Sequence, residues 1–258
     1  MNIQARSVTV SIGDVNIVDE VDLDAGAGVL TGIIGPNGAG KSTLLRVLAG
    51  FQKSSSGVVT VEGRAIGDIS WAELARLRAF MSSDPARSID FSVREVVAMG
   101  RHPWTSTRQE SDALVDRSIE DMDLRLLAGQ SYSTLSTGEA RRTQVARLLA
   151  QGVPVMLADE PVSGLDIGYA EMVLGGLRTA ARRGGTVVCV FHDLNAAAQF
   201  AGHLALMSRG RVVAAGPPDE VLTETLLTEV YRHPVRVFAH PDRPGLAVLA
   251  GESPSASH

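Results

Sequence analysis

Short apolar runs rich in β-branched residues alternate with amphipathic stretches along most of this chain. The runs predict strands, and stretches with apolar residues three or four positions apart predict helices. The predicted strands are residues 7–12, 29–34, 58–62, 153–158, 186–191, 204–208, 211–215, 235–238 and 246–249. The predicted helices are residues 42–49, 93–99, 111–122, 138–151, 167–183, 193–200 and 224–231. This alternation favours an α/β fold built on a largely parallel sheet.

The segment of residues 85–149 interrupts the alternation, because it is rich in helix signals and holds no convincing strand. It predicts a helical subdomain inserted into a single domain that spans residues 1–250. Residues 251–258 are polar and rich in serine, so we expect a disordered tail.

A glycine-rich loop between the strand at 29–34 and the helix at 42–49 carries the first candidate chemistry. It has the spacing G-x-x-x-x-G-K-S and reads Gly35, Pro36, Asn37, Gly38, Ala39, Gly40, Lys41, Ser42. Glycines let successive backbone N–H groups curl around phosphates, where a Cβ atom would intrude. The lysine can reach the β- and γ-phosphates of a nucleotide, and the serine hydroxyl can ligate Mg²⁺. The motif therefore predicts a site for a nucleoside triphosphate.

Two adjacent acids follow the apolar strand at residues 153–158. A buried parallel strand delivers its terminal side chains to the sheet edge where the phosphate loop also opens. Asp159 is expected to hold Mg²⁺, directly or through water, and Glu160 to orient and deprotonate the attacking water. A solvated acidic turn before Pro161 is the alternative, and the presence of the phosphate loop favours the catalytic interpretation.

Composition narrows the class of protein. The chain has 258 residues, 45% of them hydrophobic, which suits one large domain with its own core. A net charge of -5 and an aromatic content of 4% argue against a nucleic-acid partner. The longest apolar runs fall far below the ~20 residues of a membrane span, and no signal region follows the start. With Cys189 as its single cysteine, the chain has no internal disulfide, and we expect a cytoplasmic location.

Three further segments complete a family pattern. They are Leu135-Ser136-Thr137-Gly138-Glu139, Ser163-Gly164-Leu165-Asp166, and His192 after the strand at 186–191. With the phosphate loop and the acid pair, in this order and at these distances, they resemble the nucleotide-binding subunits of ABC transporters over residues 1–240. The resemblance implies an ATPase with a P-loop NTPase core and a mixed sheet. Its RecA-like part would carry an antiparallel β subdomain and an inserted helical subdomain, and ATP and Mg²⁺ would be its cofactors.

The resemblance also implies a head-to-tail homodimer that buries two ATP molecules. Each site would take Gly35 to Thr43, Asp159, Glu160 and His192 from one chain, with His192 sensing the γ-phosphate and fixing Glu160. The other chain would supply its signature residues, which are Ser136, Thr137 and Gly138.

Further partners are implied in the same way. Two transmembrane permease subunits would contact the surface between Arg94 and Trp104, and an extracytoplasmic substrate-binding protein would act indirectly. The chain would then lie peripherally on the cytoplasmic face of the inner membrane.

Three positions depart from the family pattern. Ile12 stands where an aromatic residue stacks on adenine, which would weaken ATP binding. Ser83 stands where a glutamine joins Mg²⁺ and water to the helical subdomain, and its hydroxyl reaches that place only through a bridging water, with Asp84 as a substitute ligand. Thr137 replaces the first glycine of the signature, where a Cβ atom crowds the backbone approach to the γ-phosphate.

The cargo is predicted from two weaker similarities. Residues 91–103 resemble the matching stretch of iron-chelate, heme and cobalamin importer ATPases, and residues 230–242 are most similar to heme importers. Heme import is therefore the leading expectation, with siderophore or cobalamin import as the alternative. A weakly hydrolysing ATP-dependent clamp is a further alternative, suggested by the three departures. A soluble ABC ATPase of translation or repair is disfavoured, because the chain has one compact copy of the motifs and no coiled-coil insert.

Overall fold

A computed structural model of the chain describes residues 2–83, 90–105, 107–241 and 244–252. Within these residues, the strands are Ile3–Ile12 (β1), Val15–Ala25 (β2), Leu30–Ile34 (β3), Ser56–Val61 (β4), Arg64–Ala65 (β5), Arg78–Met81 (β6), Val155–Asp159 (β7), Thr186–Val190 (β8), His203–Ser208 (β9), Arg211–Gly216 (β10), Val235–Ala239 (β11) and Leu246–Ala250 (β12). The α-helices are Lys41–Leu48 (α1), Trp71–Leu77 (α2), Val93–Ala98 (α3), Arg108–Asp121 (α4), Thr137–Ala150 (α5), Ile167–Arg182 (α6), Leu194–Phe200 (α7), Pro218–Val221 (α8) and Glu224–Tyr231 (α9). The predicted α/β class is confirmed.

The central sheet has six strands in the order β10-β9-β3-β8-β7-β6. Neighbouring strands from β9 to β6 are parallel, and only β10 at the edge runs antiparallel to its neighbour. Every residue of β3, β7 and β8 is buried, as expected for strands covered on both faces. Since β3, β7 and β8 are adjacent and parallel, the loops after them meet at one edge of the sheet.

A second sheet of four antiparallel strands, in the order β2-β1-β4-β5, packs beside the first. The sequence prediction missed β2, although its buried and exposed residues alternate from Val21 to Ala25. The outward positions of this stretch are occupied by Asp22 and Asp24, so β2 contains no continuous apolar run. The resulting mixed architecture matches the one that the family resemblance implies.

Between β6 and β7 the described residues form α3, α4 and α5, and their only strand-like pairing is a single bridge between Ser92 and Ser131. These helices share one apolar core with the central sheet. The division into one domain with an inserted helical subdomain stays a prediction. The short helices α2 and α8, of seven and four residues, were not predicted.

The C-terminal part adds α9 and the hairpin of β11 and β12, close to their predicted bounds. Most of the predicted tail, residues 253–258, lies outside the described residues, as do Asp84 and the start of the predicted helical segment. Among the helices of the described ranges, none combines the length and the apolar character that crossing a bilayer requires.

Candidate nucleotide site

The phosphate loop connects β3 to α1 in a conformation that glycine permits. Gly35, Gly38 and Gly40 have φ angles of 144°, 77° and 98°. A Cβ atom on Gly35 would lie 2.2 Å from the backbone oxygen of Met207, and one on Gly40 would lie 2.5 Å from that of Ile17. A Cβ atom on Gly38 would meet open space. Two of the three glycines are therefore required by the protein's own backbone, which the sequence argument about phosphates did not anticipate.

The Lys41 side chain is buried and turned back onto the loop. Its Nζ donates hydrogen bonds to the carbonyl oxygens of Gly35, at 2.7 Å, and of Pro36, at 2.9 Å. Burial lowers the pKa of Lys41, whereas the carboxylates of Glu160 and Asp159 raise it. The two backbone carbonyls thus hold the Lys41 ammonium group at the phosphate loop. There it can exchange these two acceptors for phosphate oxygens.

Asp159 ends β7 and is fully buried beside the first turn of α1. Ser42 Oγ donates a hydrogen bond to its Oδ1 at 3.0 Å, and Oδ2 has no hydrogen-bond partner within the described residues. Burial raises the pKa of Asp159, and the charge of Glu160 raises it further. Hydrogen bonds from Ser42 and Ser83 and the charge of Arg46 lower it. Ser42 is thus bonded to Asp159, and Ser83 lies close enough to lower the pKa of that carboxyl group. That these three residues bind Mg²⁺ stays a prediction.

This oxygen cluster fits a divalent cation. A buried carboxylate oxygen without a partner is a costly feature that a metal ion would relieve. Mg²⁺ is typically held by one or two protein carboxylates or hydroxyls, with phosphates and waters completing its octahedron. Among the described residues, no group of three or more His, Cys, Asp or Glu side chains is arranged to hold a metal ion.

Glu160 and His192 meet at the ends of β7 and β8. His192 Nε2 lies 2.5 Å from Glu160 Oε1, and the two side chains are 46% and 22% exposed in that order. Glu160 has a φ of 51°, a left-handed conformation that is uncommon for a residue with a Cβ atom. Backbone strain of this kind persists where the surrounding fold imposes it and concentrates at functional sites. Here it turns the carboxylate away from β7 toward the cavity above the phosphate loop.

That cavity has a volume of about 310 Å³ and brings most of the phosphate loop together with Glu160 and His192. It is lined by Ile17, Asn37, Gly38, Ala39, Gly40, Lys41, Ser42, Thr43, Glu160 and His192. Ile17 was not predicted, and the missed strand β2 is the reason. Ile12, which was predicted to contact adenine, is 64% exposed at the end of β1 and is not part of the cavity lining.

The signature residues lie elsewhere in the same chain. Ser136 caps α5, because its Oγ accepts from the Glu139 backbone N–H at 3.3 Å and donates to the Glu139 carboxylate at 2.6 Å. The Thr137 methyl carbon lies 3.5 Å from the position of a Cβ atom on Gly164, and a Cβ atom on Gly138 would lie 3.3 Å from Leu165. The signature therefore packs on the Ser163–Asp166 segment of its own chain and does not line the cavity at the phosphate loop.

Comparison with known proteins agrees with this geometry. A family model described as ABC transporter matches residues 18–163. The chain is 43% identical over 252 residues to a hemin import ATP-binding protein, HmuV, of Streptomyces coelicolor, covering 97% of this chain and 90% of the relative. It is 44% identical over 227 residues to the HmuV of Nocardia farcinica, covering 87% of this chain and 79% of the relative.

Solved structures share the fold. One is the dimeric structure of MJ0796, a bacterial ABC transporter cassette, with a TM-score of 0.74 and 24% identity over 84% of this chain and 98% of that chain.

Proposed function

We propose that this chain, which belongs to the ABC transporter family of ATPases, is the ATP-hydrolysing subunit of an importer for hemin. The observation that supports the reaction is the convergence of Lys41, Ser42, Glu160 and His192 around one cavity above the phosphate loop. Asp159 lies directly behind Ser42, which donates a hydrogen bond to it. The names of the relatives support the cargo, with siderophore and cobalamin import as the alternatives.

In phosphoryl transfer, separate residues would bind the phosphates, hold Mg²⁺ and activate the attacking water. The backbone N–H groups of residues 35–43 and the N-terminus of α1 would bind the β- and γ-phosphates, and Lys41 would leave its two carbonyl partners to neutralise them. Ser42, Asp159 and Ser83 would hold Mg²⁺, which supplies charge neutralisation at the phosphate oxygens when bound.

Glu160 would accept a proton from water as the water attacks the γ-phosphorus and the bond to the β-phosphate oxygen breaks. His192, 2.5 Å away, would keep the Glu160 carboxylate aimed at that water.

A single chain supplies half of the proposed site. Ser136, Thr137 and Gly138, at the N-terminus of α5, lie outside the lining of the cavity at the phosphate loop. Their N–H groups would therefore not contact a phosphate that the same chain binds there. We propose that the signature of a second copy completes each site in a head-to-tail dimer. The structure of the related cassette is named as dimeric, which supports a dimer.

The membrane partner would dock on the surface between Arg94 and Trp104. Val93, Val96 and Val97 of α3 are fully buried, so these valines pack the core and do not form the docking surface. The proposed surface instead extends toward α2, because Arg76 Nε donates to Pro103 O at 2.7 Å.

An aromatic patch continues this surface beyond α2. Phe51 and Trp71 are 55% and 62% exposed and stack at 5.9 Å, with the Arg78 guanidinium 4.4 Å from the Phe51 ring centre. Gln151 joins the patch to Trp104, donating to Arg78 O at 3.1 Å and accepting from Trp104 Nε1 at 2.6 Å. An exposed aromatic pair of this size is typical of a protein–protein interface. We propose that the permease subunits cover it and hold the chain on the cytoplasmic face of the membrane, with the substrate-binding protein acting from the other side.

The first experiment measures Mg-ATP hydrolysis by the purified chain over a range of protein concentrations, with Glu160→Gln as the matched variant. A rate per chain that rises with concentration and is lost in Glu160→Gln supports a dimeric, Glu160-dependent ATPase. Retained and uncleaved ATP in the wild-type chain would favour the clamp. With the reconstituted transporter, stimulation of hydrolysis by a hemin-loaded binding protein, against siderophore-loaded and cobalamin-loaded controls, tests the cargo.

A further inference from the structure

The C-terminal hairpin is fastened to the helix that follows His192 by one side-chain amide. Asn195, in the first turn of α7, donates from Nδ2 to the backbone oxygen of Val248 at 3.0 Å. Its Oδ1 accepts from the backbone N–H of Val248 at 2.8 Å. The amide thus pairs with the outer edge of β12 as a neighbouring strand would, and the inner edge pairs with β11.

The Asn195 amide lies three residues after His192, which forms the proposed catalytic pair with Glu160. Asp193, the residue after His192, caps α7 by accepting hydrogen bonds from the backbone N–H groups of Asn195, at 2.8 Å, and Ala196, at 3.3 Å. The position of the first turn of α7 therefore fixes the backbone that carries His192. The His192 side chain is 46% exposed and is held by its contact with Glu160, so it has little packing of its own.

We propose that Asn195 is a positioning residue, and that the hairpin of β11 and β12 sets the place of His192 through it. The inference rests on the proposed function, in which His192 aims Glu160. It assigns a role in that reaction to the C-terminal hairpin, which contributes no residue to the cavity at the phosphate loop. The Val248 side chain, which is 6% exposed, already packs the hairpin against the apolar core. The hydrogen bonds of Asn195 are therefore not needed for packing alone.

Two variants remove the link from opposite sides. Asn195→Leu keeps the number and branching of the side-chain heavy atoms and deletes both hydrogen bonds. Val248→Pro deletes the N–H donor from the β12 side, and proline is tolerated where a strand's N–H points away from its partner strand. Ala250→Pro is the matched control, because residue 250 lies two positions along the same edge of β12 and no hydrogen bond to Asn195 involves it.

The expected result is a lower kcat with ATP affinity unchanged. We expect Asn195→Leu and Val248→Pro each to lower kcat by about tenfold, less than the ~10²-fold that a 1 Å misplacement can cost. The affinity for ATP should stay within about twofold, since the main phosphate-binding groups, which are the loop of residues 35–43 and Lys41, are not displaced. The double variant should be no slower than either single one, because both remove the same link. Effects that multiply, or an equal loss in Ala250→Pro, would overturn the proposal.

Hydrogen–deuterium exchange separates this inference from the proposed function. In Asn195→Leu we expect faster exchange in the peptide that contains residues 191–196 and unchanged exchange in the phosphate loop. This readout needs no hydrolysis, so it decides the question even if the isolated chain proves inactive. Faster exchange confined to β11 and β12 would show a purely structural contact and refute the positioning role, whereas absent hydrolysis with the expected exchange pattern would count only against the proposed function.

Discussion

Replacing Asp159 by asparagine should stabilise the chain and abolish its activity at the same time. Asp159 is fully buried, its Oδ2 has no hydrogen-bond partner in the described ranges, and burial raises its pKa. A buried polar group without a partner costs about 1–3 kcal/mol, and more when it is charged. The asparagine amide keeps an acceptor for Ser42 but leaves its own N–H groups poorly paired, so only part of that cost is recovered. We expect the free energy of unfolding to rise by about 1 kcal/mol at pH 7 without nucleotide.

Thermal unfolding measures this gain directly. For a chain of this size, 1 kcal/mol corresponds to a rise in Tm of roughly 2–4 °C. Saturating Mg-ATP should reverse the ranking, because ligand at a hundred times its Kd stabilises the wild-type chain by about 2.7 kcal/mol and the variant by less. Glu160→Gln is the control, since Glu160 is partly exposed and should barely affect Tm without nucleotide. A Tm below wild type for Asp159→Asn without nucleotide would refute the argument from the unpaired carboxylate.

The same carboxyl group predicts a pH dependence of known sign. The pKa of Asp159 is raised above its unfolded value of 3.8, so the folded state binds its proton more tightly than the unfolded state. The penalty is therefore full above the folded pKa, and wild-type stability recovers as pH falls through it. The gap in stability between Asp159→Asn and wild type should shrink with falling pH and stay constant below 3.8. A gap that widens on acidification would contradict the direction of the shift.

Three other substitutions test separate parts of the site. Gly35→Ala should prevent the loop from adopting its conformation, because its Cβ atom would lie 2.2 Å from Met207 O at a φ of 144°. Gly38→Ala also places an alanine at a positive φ, of 77°, but its Cβ atom meets no neighbour, so it should lose less ATP affinity in a calorimetric titration. Ser83→Gln should raise hydrolysis stimulated by the membrane partner, and an unchanged rate would count against the alignment that places a glutamine there. Ile12→Tyr should tighten ATP binding by about 1–3 kcal/mol if the ring reaches adenine, and equal affinity would remove residue 12 from the site.

The phosphate loop and the acids could be predicted because each motif is local in sequence and tied to one strand. Gly35 to Ser42 lie between the buried strand β3 and the helix α1, and Asp159 ends β7, which is separated from β3 by one strand. The parallel pairing of these strands is enough to bring the two motifs together. His192 belongs to the same logic, since it follows β8, which lies between those two strands.

What the sequence could not provide depends on contacts between distant segments. The clash of a Cβ atom on Gly35 with Met207 joins residues far apart in the chain, and no local pattern announces it. Ile17 was missed because the acids of β2 hide its strand period. The link between Asn195 and Val248 also joins residues that are far apart in the chain. From the local sequence alone, an asparagine near the start of a helix predicts a helix cap.

The hydrogen bonds of Ser136 determine which groups of the signature are available to a second copy of the chain. The Ser136 hydroxyl both donates to and accepts from Glu139, so both of its hydrogen-bonding roles are occupied within the capping box of α5. The capping box also places the Glu139 carboxylate at the helix N-terminus, where the helix dipole favours negative charge. The nucleotide bound by a second copy would place its γ-phosphate near that carboxylate. The first-turn N–H groups of Thr137 and Gly138, which have no partner within the helix, are what α5 can offer it. In the proposed dimer, that phosphate would meet these two N–H groups while the Glu139 carboxylate stays on Ser136, so closure would bring two anions together at the start of α5.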